Sequence, residues 1–306
     1  MKLAPARELL DAAVSGGYAL GAFNFSNLEF LQAIVEAAGD TDTPVILATS
    51  EGAVKYAGLD NIVALARAAA ARCPVPLCLH LDHGQNMDLI RACIAAGYTS
   101  VMIDASDLPF TENVEKTAAV VRLARPRGVS VEAELGRLVG IEDSVRVEER
   151  DAVLVDPAEA GEFVRRTGVD SLAPAVGTAH GAFKFKGDPR LDLARLEQVR
   201  EATRGLPLVL HGASSVPTEV LKACRAAGVE LPGAKGVPAD QLRAAVRAGV
   251  AKVNTDTDLR LTFLAAVRST IVGRPGEFDP RRYLGPGRDA VQALVRERIR
   301  FLRRAS

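Results

Sequence analysis

The chain contains four histidines, His80, His83, His180 and His211. Neutral imidazole is the commonest protein ligand for zinc and related ions, so histidines brought together read first as a metal site. Carboxylates accompany them. Asp82 precedes His83, and Asp104 and Glu134 each close a short apolar run. Such groups usually cap the next helix. Gathered in a low-dielectric site, however, they repel one another unless a cation or proton compensates. Three donor-rich segments follow later in the chain: Gly177–Gly181, His211–Ser215 and Asn254–Thr257. Glycine lets backbone N–H groups approach an anion closely, and Lys184 adds a cation, so a phosphorylated ligand is expected.

Something must carry these residues to one place. Short apolar runs alternate with helical patterns, and the strands are expected at Tyr18–Phe25, Val45–Thr49, Leu77–Asp82, Ser100–Asp104, Ser130–Glu134, Ser171–Val176, Leu208–His211 and Val250–Asn254. Runs this short and this apolar suit strands buried on both faces. Between them, Asn27–Ala38 carries apolar residues at helical spacing behind an Asn N-cap, and Ala239–Ala248 ends at Gly249. Eight strands alternating with helices predict an α/β fold, a closed (β/α)8 TIM barrel. A doubly wound sheet is the alternative, weakened because no GxGxxG turn follows the first strand. No linker divides the chain, so one domain is expected over residues 1–306. A segment at about 136–156 is too long for an ordinary βα loop and reads as a mobile active-site lid or small insertion. Gly228–Pro238 reads as surface loop.

In such a barrel His83, His180 and His211 would follow strands 3, 6 and 7 on the rim that bears active sites. His80, inside strand 3, reads as a packed residue facing away from that rim. Lys252 lies two residues before Asn254, so both point into the barrel. A barrel lysine could form a Schiff base; the preferred reading is that it pairs with Glu132. Pro174 is unusual inside a central strand.

Lys plus Arg equals Asp plus Glu, 38 each, so no basic excess marks a nucleic-acid surface. No apolar run is long enough to span a bilayer and no signal-type segment begins the chain, so a cytoplasmic protein is expected. Cys73, Cys78, Cys93 and Cys224 form no CxxC pair and read as reduced, buried thiols. Arg296, Arg298, Arg300, Arg303 and Arg304 alternate with apolar residues and read as the solvated face of a last helix.

Taken together, the motifs resemble the class II fructose-bisphosphate aldolases, in the branch shared with tagatose-bisphosphate aldolases. The segments are Gly21-Ala22-Phe23-Asn24, Leu79-His80-Leu81-Asp82-His83-Gly84, Ser100-Val101-Met102-Ile103-Asp104, Val131-Glu132-Ala133-Glu134-Leu135-Gly136, Gly177-Thr178-Ala179-His180-Gly181, Leu210-His211-Gly212-Ala213-Ser214 and Val253-Asn254-Thr255-Asp256-Thr257-Asp258. They run in order over nearly the whole chain. The resemblance implies reversible cleavage of fructose 1,6-bisphosphate to dihydroxyacetone phosphate and glyceraldehyde 3-phosphate through a metal-stabilised enediolate. It implies a catalytic zinc on His83, His180 and His211, with cobalt, iron and manganese as other ions such ligands accept. Asp104 and Glu134 match a second divalent position, and carbonyls around Ala179, Gly181 and Gly212 a monovalent cation. Asp82 matches the acid/base at the C4 hydroxyl and Glu142 the group that moves the carbon-bound proton. Asn24, Ser50, Gly181, Lys184, Gly212, Ser214, Asn254, Asp256 and Thr257 match substrate contacts. Arg260 matches a residue that reaches the other phosphate from a neighbouring subunit, so a homodimer or homotetramer is implied. Tagatose-bisphosphate aldolase is the alternative activity, and a metal-dependent hydrolase barrel a remoter one, since strand 1 carries no HxH pair.

Overall fold

The structure is a computed structural model. It describes residues 3–305 apart from 137–138, 143–144, 148–152, 178, 181–189, 216 and 232–235, and it gives the backbone alone for 139–142, 145–147 and 179–180. Among the described residues, eight parallel strands close a barrel in the order β1-β11-β10-β8-β5-β4-β3-β2. They are β1 (Leu20–Asn24), β2 (Val45–Ser50), β3 (Leu77–Gly84), β4 (Ser100–Ile103), β5 (Ser130–Leu135), β8 (Ser171–Pro174), β10 (Leu208–Leu210) and β11 (Val250–Thr255). Each expected strand is present, with ends moved by one or two residues. The (β/α)8 barrel is therefore the fold.

Alternation along the strands sorts the core into an inner and an outer set. Leu20, Ala22, Ile46 and Cys78 meet Leu9, Leu10 and Ala13 of α1 (Ala6–Gly16), which closes the N-terminal mouth. Their neighbours Phe23, Leu47, Leu79, Val101, Val131 and Leu208 belong to a separate cluster with residues of the surrounding helices. The inward positions change character up the barrel. An apolar floor gives way to His80, Glu132 and Lys252, and these to Asn24, Asp82, Glu134 and Asn254 at the C-terminal rim. Every one of the latter two groups is buried.

The helices form where their patterns predict. Asn27 caps α2 (Leu28–Asp40) by accepting from the Phe30 N–H at 3.0 Å. α10 spans Ala239–Arg247. Pro174 is the last residue of β8, opposite Leu135, and the ladder continues through the Ala175 N–H, so proline removes no interior bond. In the segment read as a lid, β6 (Val139–Glu142) and β7 (Val145–Val147) form an antiparallel hairpin. β6 also pairs in parallel with β9 (Ala179–His180), Gly140 lying opposite His180.

One expectation holds only in part. The C-terminal helix α12 (Pro280–Arg303) does not leave all its arginines in solvent. The Arg298 side chain is 12% exposed and bonds the fully buried Asp258 at 2.8 Å, whereas Arg300, Arg303 and Arg304 are exposed as expected. No helix among the described residues is long and apolar enough to cross a membrane.

Candidate active site

The site begins with a break in alternation. Asp82 points into the barrel, so the next residue, His83, would point out. His83 instead takes a left-handed backbone, φ +47°, and the β3–β4 register shifts between Leu81 and Gly84. Such a conformation costs a non-glycine residue about 1–3 kcal/mol and clusters at functional sites. Gly84 allows it, because a Cβ there would lie 2.6 Å from the Met102 carbonyl. The imidazole consequently turns in over the rim. Its Nδ1 sits 3.0 Å from Asp104 Oδ2 and 3.8 Å from Glu134 Oε2, and its ring meets that of His211 edge-on at 4.5 Å.

His211 follows β10 and is held from below. Its Nε2 lies 2.7 Å from Glu132 Oε1. Burial, then the nearby His83, holds the His211 pKa below its ordinary value, so the ring is neutral. Burial works against ionisation of Glu132 as well, but Lys252 and the His211 hydrogen bond outweigh it and hold the carboxyl below the usual range. An ionised carboxylate only accepts, so Nε2 carries the proton and Nδ1 the lone pair. Asn254 Nδ2 donates to that Nδ1 at 3.2 Å. Asp104 is likewise held low: the His83 hydrogen bond and Ser106 outweigh its burial.

Asp82 is clamped by two amides. Asn24 Nδ2 donates to Oδ2 and Asn254 Nδ2 to Oδ1, both at 2.9 Å. This fixes each amide's orientation, because the carboxylate cannot donate. The side-chain oxygens of Asn24 and Asn254 are then buried without a hydrogen-bond partner among the described residues. Buried acceptors are costly to leave unmade, so a hydroxyl-bearing ligand suits them.

These residues fit a divalent ion. Asp82, His83 and His211 each offer a donor atom within 4.8 Å of the others, and so do His83, Asp104 and Glu134. The first group is a nitrogen–oxygen set of the kind zinc takes; the second is richer in oxygen. The structure thus places Asp82 beside the imidazole nitrogens of His83 and His211 as well as beside the asparagines.

The remaining expected residues divide. Ser50 ends β2 and caps α3 (Glu51–Ala57) through the Ala53 N–H at 3.2 Å. Gly212 takes a left-handed φ of +59°, and Ser214 is buried with its carbonyl accepting from Val237. Thr257 begins α11 (Thr257–Gly273), and Asp256 bonds Arg260 at 2.7 Å on the exterior. Gly181 and Lys184 lie outside the described residues, as do the side chains of His180 and Glu142. Sequence reasoning gave Glu132 only its pairing with Lys252, which forms at 2.8 and 3.0 Å. It missed the contact with His211, although the inward period-2 alignment of Glu132 with Glu134 was the available signal. His80 is packed as expected, one layer below the rim.

A histidine–carboxylate cluster at the C-terminal rim of a closed (β/α)8 barrel defines a candidate metal-dependent barrel enzyme. The family model for class II fructose-bisphosphate aldolase matches residues 4–306, and the chain belongs to that family. The chain is 50% identical over 301 residues to a fructose-bisphosphate aldolase of Helicobacter pylori, covering 98% of each. It is 50% identical over 295 residues to one of Thermus caldophilus, covering 95% of each. Among solved structures, the YdjI aldolase of Escherichia coli K12 superposes with a TM-score of 0.79 at 30% identity, over 98% of this chain and 97% of that one.

Proposed function

We propose that this chain catalyses the reversible cleavage of fructose 1,6-bisphosphate to dihydroxyacetone phosphate and glyceraldehyde 3-phosphate. The observation that carries the proposal is the grouping of Asp82, His83 and His211 with two asparagines whose buried side-chain oxygens have no hydrogen-bond partner among the described residues. His83 and His211, with His180, would hold a zinc ion, and Asp104 and Glu134 a second divalent ion. When bound, a divalent ion supplies Lewis-acid stabilisation of charge on the substrate's ketone oxygen. In cleavage Asp82 accepts the C4 hydroxyl proton, the C3–C4 electron pair passes to C3, and the aldehyde leaves. Glu142 then delivers a proton to C3, and condensation runs the same transfers in reverse. The amide clamps aim the Asp82 carboxylate, as a base requires. Gly181, Lys184, Gly212, Ser214 and the Asn254–Thr257 run would bind the dihydroxyacetone phosphate end, with Asn24 and Ser50 on the sugar. Carbonyls around Ala179, Gly181 and Gly212 would take a monovalent cation. Arg260 would reach the far phosphate of a partner subunit in a homodimer or homotetramer. A cytoplasmic setting agrees with so highly charged a substrate.

A coupled assay with fructose 1,6-bisphosphate tests this. A chelator should reduce activity at least about 100-fold, zinc or cobalt should restore it, and His180→Ala should not recover. Full activity in metal-free protein would refute the metal mechanism, and preference for the tagatose isomer would refute the substrate.

A further inference from the structure

We infer that Glu51 is a positioning residue for the His83 turn, and through it for metal binding. The inference rests on the proposed metal site, and the argument starts from the strain at that turn. His83 is held at φ +47°, so an unrestrained segment after Asp82 would relax toward ordinary extended backbone and carry the imidazole away from His211. Something must over-determine the turn. On the β4 side the Asp104 N–H donates to the Gly84 carbonyl at 2.8 Å. On the β2 side one carboxylate oxygen, Glu51 Oε1, accepts from the N–H groups of both Gln85 and Asn86, at 2.7 and 2.8 Å. Both distances lie at the short end of the range for N–H···O bonds, so the acceptor is well placed for both donors.

The clamp reaches between two βα loops. Glu51 is the first residue of α3, immediately after Ser50 at the end of β2, and its partners lie 34 and 35 residues further along. Asn86 in turn caps α5 (Met87–Ala96) by accepting from Asp88 and Leu89, so the turn is pinned at its far end too. Glu51 touches neither His83 nor Asp82 in these contacts. It acts on where the backbone places them. Because Ser50 and Glu51 are adjacent, the rim residue read as a sugar contact and the clamp on the His83 turn sit on one rigid helix start.

The chemistry of the clamp sets the test. What is needed is an acceptor oxygen at full glutamate length. Glu51→Gln keeps an acceptor carbonyl at that length. Glu51→Asp keeps the charge and falls one methylene short. Glu51→Ala removes both. Zinc affinity, measured by competition against a fluorescent chelator, should fall about 10–100-fold in Glu51→Ala and Glu51→Asp, as for other groups that orient ligands. It should stay within about threefold of the parent in Glu51→Gln. Melting of the three metal-free variants, recorded alongside, should group Gln with the parent. Parent-like zinc affinity in both Glu51→Asp and Glu51→Ala would overturn the proposal. So would equal loss in Gln and Ala, which would assign the effect to charge. If the parent itself bound zinc no better than His83→Ala, the metal-site reading would fail instead, and the two failures are distinguishable.

Discussion

Glu132 illustrates how a charge survives inside the barrel. Its carboxylate is 2% exposed, and its two oxygens serve the Lys252 ammonium while one also receives the His211 N–H. Desolvation of a carboxylate alone would be prohibitive, and the ammonium makes it tolerable. The carboxylate in turn fixes the tautomer of His211, a candidate metal ligand. Glu132→Gln should therefore weaken zinc binding about 10–100-fold in a competition titration, whereas unchanged affinity would show that His211 is oriented by other contacts. His80 gives a pH signature from the same layer. Lys252 donates to its Nε2 at 3.3 Å, so Nδ1–H donates to Ser100 Oγ at 2.8 Å. Burial, then the lysine charge, pushes its pKa from 6.5 down to about 3. Between those values the unfolded chain binds a proton that the folded chain refuses. This group should thus make stability fall on acidification below its ordinary pKa. Urea melts of metal-free protein at about pH 6 and 4 should show a flatter dependence in His80→Gln than in the parent, and equal slopes would contradict the assignment.

At the scale of elements, the barrel was legible because strands buried on both faces are short apolar runs, and because helices announce their starts, as Asn27 does for α2. The rim residues were legible for the same reason: a strand end is where an apolar run stops. His83 was harder. Period-2 alternation beside the inward Asp82 sends it outward, and only a left-handed backbone, which a histidine does not advertise, brings it back. The basic pattern of α12 misled for another reason. Charge spacing on a helix says which face is polar, not whether a buried carboxylate waits opposite it. Asp258 is fully buried, takes the Ser215 N–H at 3.0 Å, and meets Arg298, which also bonds the Ser215 hydroxyl. The last helix is thereby tied to the loop that carries Ser214. Arg298→Met should destabilise the protein by about 3–5 kcal/mol, since it strands a buried charge, and Asp258→Leu in the same chain should recover part of that loss. A melting temperature unchanged by the single substitution would mean that the pair is relaxed by solvent.

At the scale of the whole molecule, Arg260 tests whether one chain makes a complete site. Its side chain is 58% exposed and its Nε bonds Asp256 at 2.7 Å, one helical turn back. An exposed pair of this kind contributes little stability, about 0–1 kcal/mol, so folding alone gives weak reason for an arginine here. A planar guanidinium held by one carboxylate and open to solvent on its other edge is suited to take a phosphate through two parallel N–H bonds. If the far phosphate of a partner's substrate is that ligand, the loss should be confined to the substrate that carries it. Arg260→Ala should lower kcat/KM for fructose 1,6-bisphosphate about 10–100-fold, mainly through KM, the range expected for a lost charge-assisted bond. Dihydroxyacetone phosphate binding should change hardly at all, because that molecule ends short of the second phosphate. His83→Ala should be inactive for the separate reason of metal loss. Mixed with Arg260→Ala under conditions that exchange subunits, it should restore activity above the sum of the two, since hybrid sites combine an intact His83 with an intact Arg260. A fully active monomer, or an Arg260→Ala enzyme with parent kinetics, would leave Asp256 and Arg260 as an ordinary surface pair.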